Sequence, residues 1–261
     1  MKKYLAIAQM QIINNIAYPG DVIGRSVSIA VFLFIFAGLW RATFIIAGTE
    51  SLNGLTFADM MWYLMMAETI ELGRPRSNRI ISEQVKNGEV AYILNKPYHF
   101  LLYHFWFGVG DSLLRVGTNI GVGVVVAWTL AGPPPSLAGW GMALVTLVGA
   151  WVLHFCLMAL IGLAAFLVEE TNSFELIYQK AVFILGGMLL PLDLFPEWLQ
   201  RIARLLPFPY MMYAPARLFV KPEPGLFLQM LAAQWMWVAV LVFVLALAYR
   251  GSERALTVNG G

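Results

Sequence analysis

Charge is what this sequence has least of. Only 12% of its 261 residues are Asp, Glu, Lys or Arg, about half the share in a soluble globular domain. By contrast 60% are hydrophobic, and the mean hydropathy is +0.72. The few charges gather between long apolar runs, the pattern of an all-α polytopic membrane protein. Once those charges are assigned to loops at the membrane surface, no basic face remains for nucleic acid. Cysteine is almost absent. Cys156 stands alone inside an apolar segment, which excludes a disulfide within the chain and reads as a buried small hydrophobe. Lys2 and Lys3 resemble a signal-peptide start, but Gln9, Gln11, Asn14 and Asn15 interrupt any apolar core, so no cleavable signal is expected.

Catalytic signatures are missing as well. Without a G-x-x-x-x-G-K-[ST] loop the chain does not hydrolyse ATP by the usual loop chemistry. H-E-x-x-H and G-x-S-x-G do not occur. His99 and His104 have no nearby carboxylate to complete a metal set, and the one acidic doublet, Glu169-Glu170, has no second cluster of the kind a prenyl-transferring enzyme uses. No catalytic, cofactor or metal residue is therefore assigned, which weighs against a membrane-embedded enzyme. An ion-coupled secondary transporter would want charged or broken elements near the bilayer midplane, often in two related halves. The sequence shows no internal repeat, and that alternative rests on Asp111 and Arg115 alone. Their i,i+4 spacing puts both on one helix face as an intramembrane pair.

Six apolar spans are expected, at about 22–46, 56–72, 103–130, 137–168, 177–190 and 226–249. Residues 4–17 precede them as an interfacial helix. Its apolar stripe is Leu5, Ala8, Ile12 and Ile16, with Gln11, Asn14 and Asn15 opposite. The third apolar run, Phe100 to Leu130, exceeds the length needed to cross, so an interfacial entry at Tyr98–Gly108 and a tilted or kinked span are expected. Gly117 and Gly121 in that run form a GxxxG step, which permits close helix approach. Between spans five and six, residues 191–225 hold a short amphipathic helix begun by Pro196. Trp198, Leu199, Ile202, Leu205 and Leu206 are its apolar residues, and Glu197, Gln200, Arg201 and Arg204 its polar ones. Pro207, Pro209 and Pro215 then forbid one straight helix. A partly re-entrant segment covered by protein accommodates such backbone.

The longest polar interruption is residues 74–97, RPRSNRIISEQVKNGEVAYILNKP, with Arg74, Arg76, Arg79, Lys86 and Lys96 against Glu83 and Glu89. The positive-inside rule keeps it cytoplasmic, and with Lys2/Lys3 and Arg250/Arg254 it places both termini there too. The outer segment fits that rule least well, because Arg201, Arg204, Arg217 and Lys221 are only partly offset by Asp193, Glu197 and Glu223. Within 74–97, Ile80, Ile81, Val85 and either Tyr92 or Ile93 line one side of a short helix broken near Asn87-Gly88. That is a docking helix offered to a cytoplasmic partner, or else a basic loop lying on anionic headgroups.

Three segments carry a family resemblance. They are the N-terminal amphipathic helix, the stretch ISEQVKNGEVAYILNKPYHF with Gly88, Leu94 and Pro97, and PLDLFPEWLQRIARLLPFPYMMYAPARLF with Pro191, Pro196, Trp198, Leu206 and Pro207. Together they resemble the membrane subunit of an ABC-2-type ABC transporter, in the branch of small six-span bacterial permeases. The resemblance implies a subunit of the bacterial cytoplasmic (inner) membrane that pairs with a second permease, identical or related. Two ATP-binding subunits would bind ATP and Mg, none of which this chain holds itself. It implies cargo export, with the scarcity of buried charge favouring an amphipathic or lipid-like cargo. The coupling helix would lie in residues 74–97, contacting the ATPase through Ile80, Ile81, Val85, Gly88 and Tyr92. Glu170 in the acidic loop 169–175 would add a smaller second contact.

Overall fold

Local chemistry sets the first breaks in the chain. In the computed structural model, which describes residues 1–17, 19–168 and 170–259, helix α1 covers Lys2–Ala17 and α2 covers Pro19–Ala47. Glu169, and the side chains of Leu94 and Arg254 invoked above, lie outside the described residues. A two-residue turn follows α2. Asn53 and Gly54, both at positive φ, join strands β1 (Ser51–Leu52) and β2 (Leu55–Thr56) into a hairpin. Thr56 caps α3 (Phe57–Gly73) in a reciprocal box with Asp59, which satisfies donors the helix would otherwise leave open. Arg74 and Pro75 end it in extended backbone.

Next come α4 (Ser77–Lys86) and α5 (Glu89–Leu94), separated at Gly88 with φ +72°. Helix α6 (Phe100–Ala131) follows, then α7 (Ala138–Leu163), closed by a 3-10 turn at Ala164–Phe166. Helix α8 (Asn172–Leu185) leads to α9 (Glu197–Arg204), α10 (Tyr213–Val220) and α11 (Pro224–Asn259).

Among the described residues, four helices are long and apolar enough to cross a bilayer: Val27–Ala47, Phe100–Ala131, Ala138–Phe166 and Pro224–Ser252. The chain is a multi-pass, almost wholly helical membrane protein. Helix α3, about 26 Å long at 1.5 Å per residue, is buried along nearly its whole length, with Met60 to Ala67 at the centre of the core. It packs on α6, α2 and α10.

Several expected boundaries shift. Helix α6 is one unbroken rod without the separate entry portion expected at Tyr98–Gly108. No proline interrupts it, and Gly110 provides the flat surface on which α1 crosses, since an added Cβ there would lie 2.3 Å from the Ala8 carbonyl oxygen. The GxxxG glycines are not the contact points: Gly117 and Gly121 face open space, while Gly123 abuts Met65 and Ile29. Helix α1 turns Tyr4 and Ala8 inward and sends Asn15 to Asp111, leaving Leu5 and Ile16 exposed. Helix α8 begins and ends earlier than the span expected at 177–190. The acidic stretch supplies its first turn, and Gly187, at φ +71°, breaks it where the Tyr63 hydroxyl bonds the Gly187 carbonyl.

At the end opposite α4, the proline-rich segment does not form one helix. Pro215 is tolerated inside α10 because it falls in the first turn, where its missing N–H has no partner to lose. Helix α10 is buried between α7 and α3: the Phe219 carbonyl sits over Gly139, and its ring meets Trp62 and Trp140 edge-on. Gln234 of α11, fully buried, donates to the carbonyls of Thr146 and Tyr210 and joins three elements. The cations of this end have local partners. Arg217 lies 3.4 Å from Asp193, Arg201 lies 3.1 Å from Glu197, and the Lys221 ammonium bonds the Gly54 carbonyl.

Candidate coupling interface

The basic stretch is built onto the ends of α7 and α8. Helix α4 has a face of Ser77, Asn78, Ile81 and Ser82, all buried. That face rests on Gly162 of α7, where a Cβ would meet the Ile81 Cβ at 2.8 Å and the Asn78 Cα at 3.2 Å. Only a glycine lets the two backbones approach so closely.

Polar bonds complete the seat. Ser82 and Thr171 share a hydroxyl–hydroxyl hydrogen bond of 3.1 Å. The Glu175 carboxylate, buried in the first turn of α8, accepts from Asn78 at 2.9 Å and from two nitrogens of Arg79 at 3.2 and 3.0 Å. Gln179 donates to it at 3.3 Å, and Arg74 stands 3.8 Å away, itself 2.9 Å from Glu71. Burial pushes the Glu175 carboxyl up, but Arg79, Asn78 and Arg74 outweigh it and hold the group below the ordinary 4.5. Reciprocally, Glu175 raises Arg79 above its ordinary value. Glu170, at the surface, accepts from the Asn172 backbone at 3.0 Å and stands 3.6 Å from Lys86, and both hold it below its ordinary value.

The sequence-selected residues divide between two faces. Ile81 is wholly buried against α7, and Val85 is half-buried on the same core. Ile80 is partly covered, whereas Gly88, Tyr92 and Glu170 are exposed. In the sequence, Glu175 is one acidic residue among several in the stretch 169–175. Its i,i+4 step to Gln179 marks a helix face, while Asn78 and Arg79 stand 97 and 96 residues away. Between α4 and the start of α8 runs a groove of about 570 Å³, lined by Arg79, Glu83, Lys86, Asn172 and Leu176 among others. Such a groove offers both charge signs and an apolar edge to a protein surface.

The other selected residues lie apart from this end or within the helices. Asp111 and Arg115 are bonded to each other on α6. Arg115, only 3% exposed, also donates to the Leu72 carbonyl, and Asp111 accepts from Asn15. This pair ties α1, α3 and α6 together. Pro196 is the N-cap of α9, which carries Trp198 and Arg201, and Pro207 starts the following 3-10 turn. His104 is buried against Phe100, and no group of three or more metal-ligating side chains occurs among the described residues.

A family model described as "ABC-2 family transporter protein" matches residues 26–260. No curated protein matches the chain.

Proposed function

The chain belongs to the ABC-2 transporter family, a family of membrane permeases that associate with ABC ATP-binding subunits, and from that membership we propose a specific arrangement. The protein crosses the bacterial cytoplasmic membrane six times, with α3 as the second span and residues 177–190, in α8 beyond its first turn and the turn that follows, as the fifth. Both termini and the α4–α5 unit are cytoplasmic. Two permease subunits, identical or related, stand over two ATPase subunits that bind ATP and Mg. Together they export an amphipathic or lipid-like cargo, for which the scarcity of buried charge is the support.

One observation carries the reading: α4 is seated on the ends of α7 and α8 by its inner face, while its outer side and the Glu89, Ala91 and Tyr92 side of α5 are exposed. Motion applied to the bare side reaches two spans through bonds already made. A helix resting on headgroups would need no such seat, since each Lys or Arg near the surface contributes only about 1 kcal/mol there.

Gly88 and Tyr92 test this without touching the seat. Gly88→Pro replaces φ +72° by a φ near −65° and re-aims α5. Tyr92, 68% exposed, changed to Asp alters the outer surface alone. Both variants are expected to insert normally while losing co-purification of the ATP-binding subunit and cargo-stimulated ATP turnover. Unchanged assembly and turnover in both would remove α4–α5 as the coupling element. If the wild-type chain also brought down no ATPase, an ion-coupled carrier would replace this reading.

A further inference from the structure

We propose that a crevice between α6 and α7, with the basic pocket beside it, forms one binding site for an anionic phospholipid of the leaflet at the α4 end. The crevice encloses about 250 Å³ and is almost purely apolar, with Ile70, Phe105, Val109, Leu113, Val148 and Val152 among its walls. Leu113 and Val148 are also exposed, so its mouth opens on the apolar outer surface of the two helices. That volume is below the roughly 300–1,000 Å³ of a site enclosing a drug-sized ligand. It suits part of one acyl chain whose remainder stays in the bilayer.

Arg74 lines the crevice and also a second cavity of about 260 Å³, whose walls include Arg76, Arg79 and Arg115. The four guanidiniums face three carboxylates, Glu71, Glu175 and the Asp111 bonded to Arg115. Arg76 makes no ion pair among the described residues. A phosphodiester headgroup with one net negative charge matches it. Basic pockets between spans at this level recognise lipid headgroups by the same electrostatics.

Three buried polar atoms on crevice-lining residues have no hydrogen-bond partner among the described residues: Ser112 Oγ, Trp151 Nε1 and His154 Nε2. Unpaired buried polar groups are costly. The Ser112 hydroxyl and Trp151 N–H are donors, and the ester carbonyls of a glycerolipid, which sit between headgroup and chains, are acceptors. A helix of a second copy would cover Leu113 and Val148 but leave these atoms and Arg76 unanswered. A diacyl phospholipid brings an acyl chain to the crevice and an anionic headgroup to Arg76 together. The site does not depend on what the permease exports.

Native mass spectrometry of the purified chain tests this, with phosphatidylglycerol and phosphatidylcholine of matched chains supplied in mixed micelles. Phosphatidylglycerol is expected to be retained about fivefold more, the worth of the ~1 kcal/mol one basic residue contributes at a headgroup. Arg76→Gln should abolish that preference. Val148→Trp, which fills the mouth from an exposed position, should lower retention of both lipids, with both variants eluting as the wild type does. Equal retention of the two lipids, or indifference to Val148→Trp, overturns the site. So does retention of sn-glycerol 3-phosphate as strong as that of phosphatidylglycerol, which would reduce it to a phosphate pocket. Efficient disulfide crosslinking between copies through Leu113→Cys or Val148→Cys, in a Cys156→Ala background, would show a second copy at the mouth and overturn it as well.

Discussion

Helices α4 and α9 are alike in length and in pattern, and they stand at opposite ends of the molecule. Each has an apolar stripe and charged residues, and each is set off by a bend in the chain. Their attachments differ. Helix α4 is bonded to other elements, through Gly162 on α7, Thr171 before α8 and Glu175 within it. Helix α9 buries only Ala203, and the bonds of its side chains are local: Arg201 to Glu197, Arg204 to Gln200, and Gln200 to the Phe195 carbonyl. A helix bonded across elements moves with the spans it touches. One bonded to itself follows its surroundings. Amphipathicity alone does not separate a lever from a float.

The most severe way to break the contrast is at Glu175. Removing this carboxylate leaves the Asn78 amide without a buried partner and takes from Arg79 both of its hydrogen bonds, while Arg74 keeps Glu71; hydrogen bonds to a charged group contribute about 1.5–3 kcal/mol each. Glu175→Ala should therefore lower the thermal stability of the solubilised protein sharply. Glu197→Ala on α9 removes a partner that is 85% exposed and should change it by less than about 0.5 kcal/mol. Equal effects would erase the distinction. The pH dependence has a definite sign. Because Glu175 is held below its ordinary 4.5, its contribution is complete above that value and is lost as pH falls through the lower folded value. Acid should free α4 from α8 in the range below 4.5, seen as new reactivity of a cysteine placed at Ser82, which is buried at neutral pH.

A smaller effect is expected at Gly162. The methyl of Gly162→Ala would press on Ile81 and on the Asn78 backbone, and overpacking of this kind costs about 1–3 kcal/mol. Gly117→Ala provides the control within a helix. Nothing lies near its added Cβ, so the higher helix propensity of alanine should leave stability equal or raised by up to ~1 kcal/mol. Thermal unfolding of the two variants side by side reads the difference directly. A loss at Gly117 as large as at Gly162 would mean that the GxxxG face of α6 is covered in the assembled protein.

Much of this architecture was readable from local pattern. The apolar runs, the break at Gly88, the start of α9 at Pro196 and the pieces forced by Pro207, Pro209 and Pro215 all follow from residues within a turn or two of each other. What local pattern omits is which face a neighbour covers. Asn15 lies among the polar residues of α1, yet it points into α6 because Asp111 is there to receive it. Gly162 has no GxxxG partner and still makes the closest approach to α4, whereas Gly117 and Gly121 touch nothing described. Gln234 sits unremarked in an apolar run and joins three elements. The Glu175 cluster draws on positions almost a hundred residues apart, so only the packed helices reveal it.

The smallest expected effect sharpens the other side of the comparison. Trp198, Ile202 and Leu205 form the apolar stripe of α9 and are 63%, 47% and 75% exposed. A tryptophan at a bilayer interface keeps its ring at headgroup level and anchors by partition, not by a fitted contact. Trp198→Ala removes no packed partner, so stability in detergent should fall by less than about 0.5 kcal/mol, and Trp198→Phe should be neutral. The same substitution should still raise the accessibility of a cysteine at Arg201 to a water-soluble reagent in membranes, because the stripe loses its strongest interfacial anchor. A fall in detergent comparable to that of Glu175→Ala would instead mean that a protein surface covers α9 even outside the bilayer. Helix α9 would then be a docked element like α4, and the two ends of the molecule would work by the same principle.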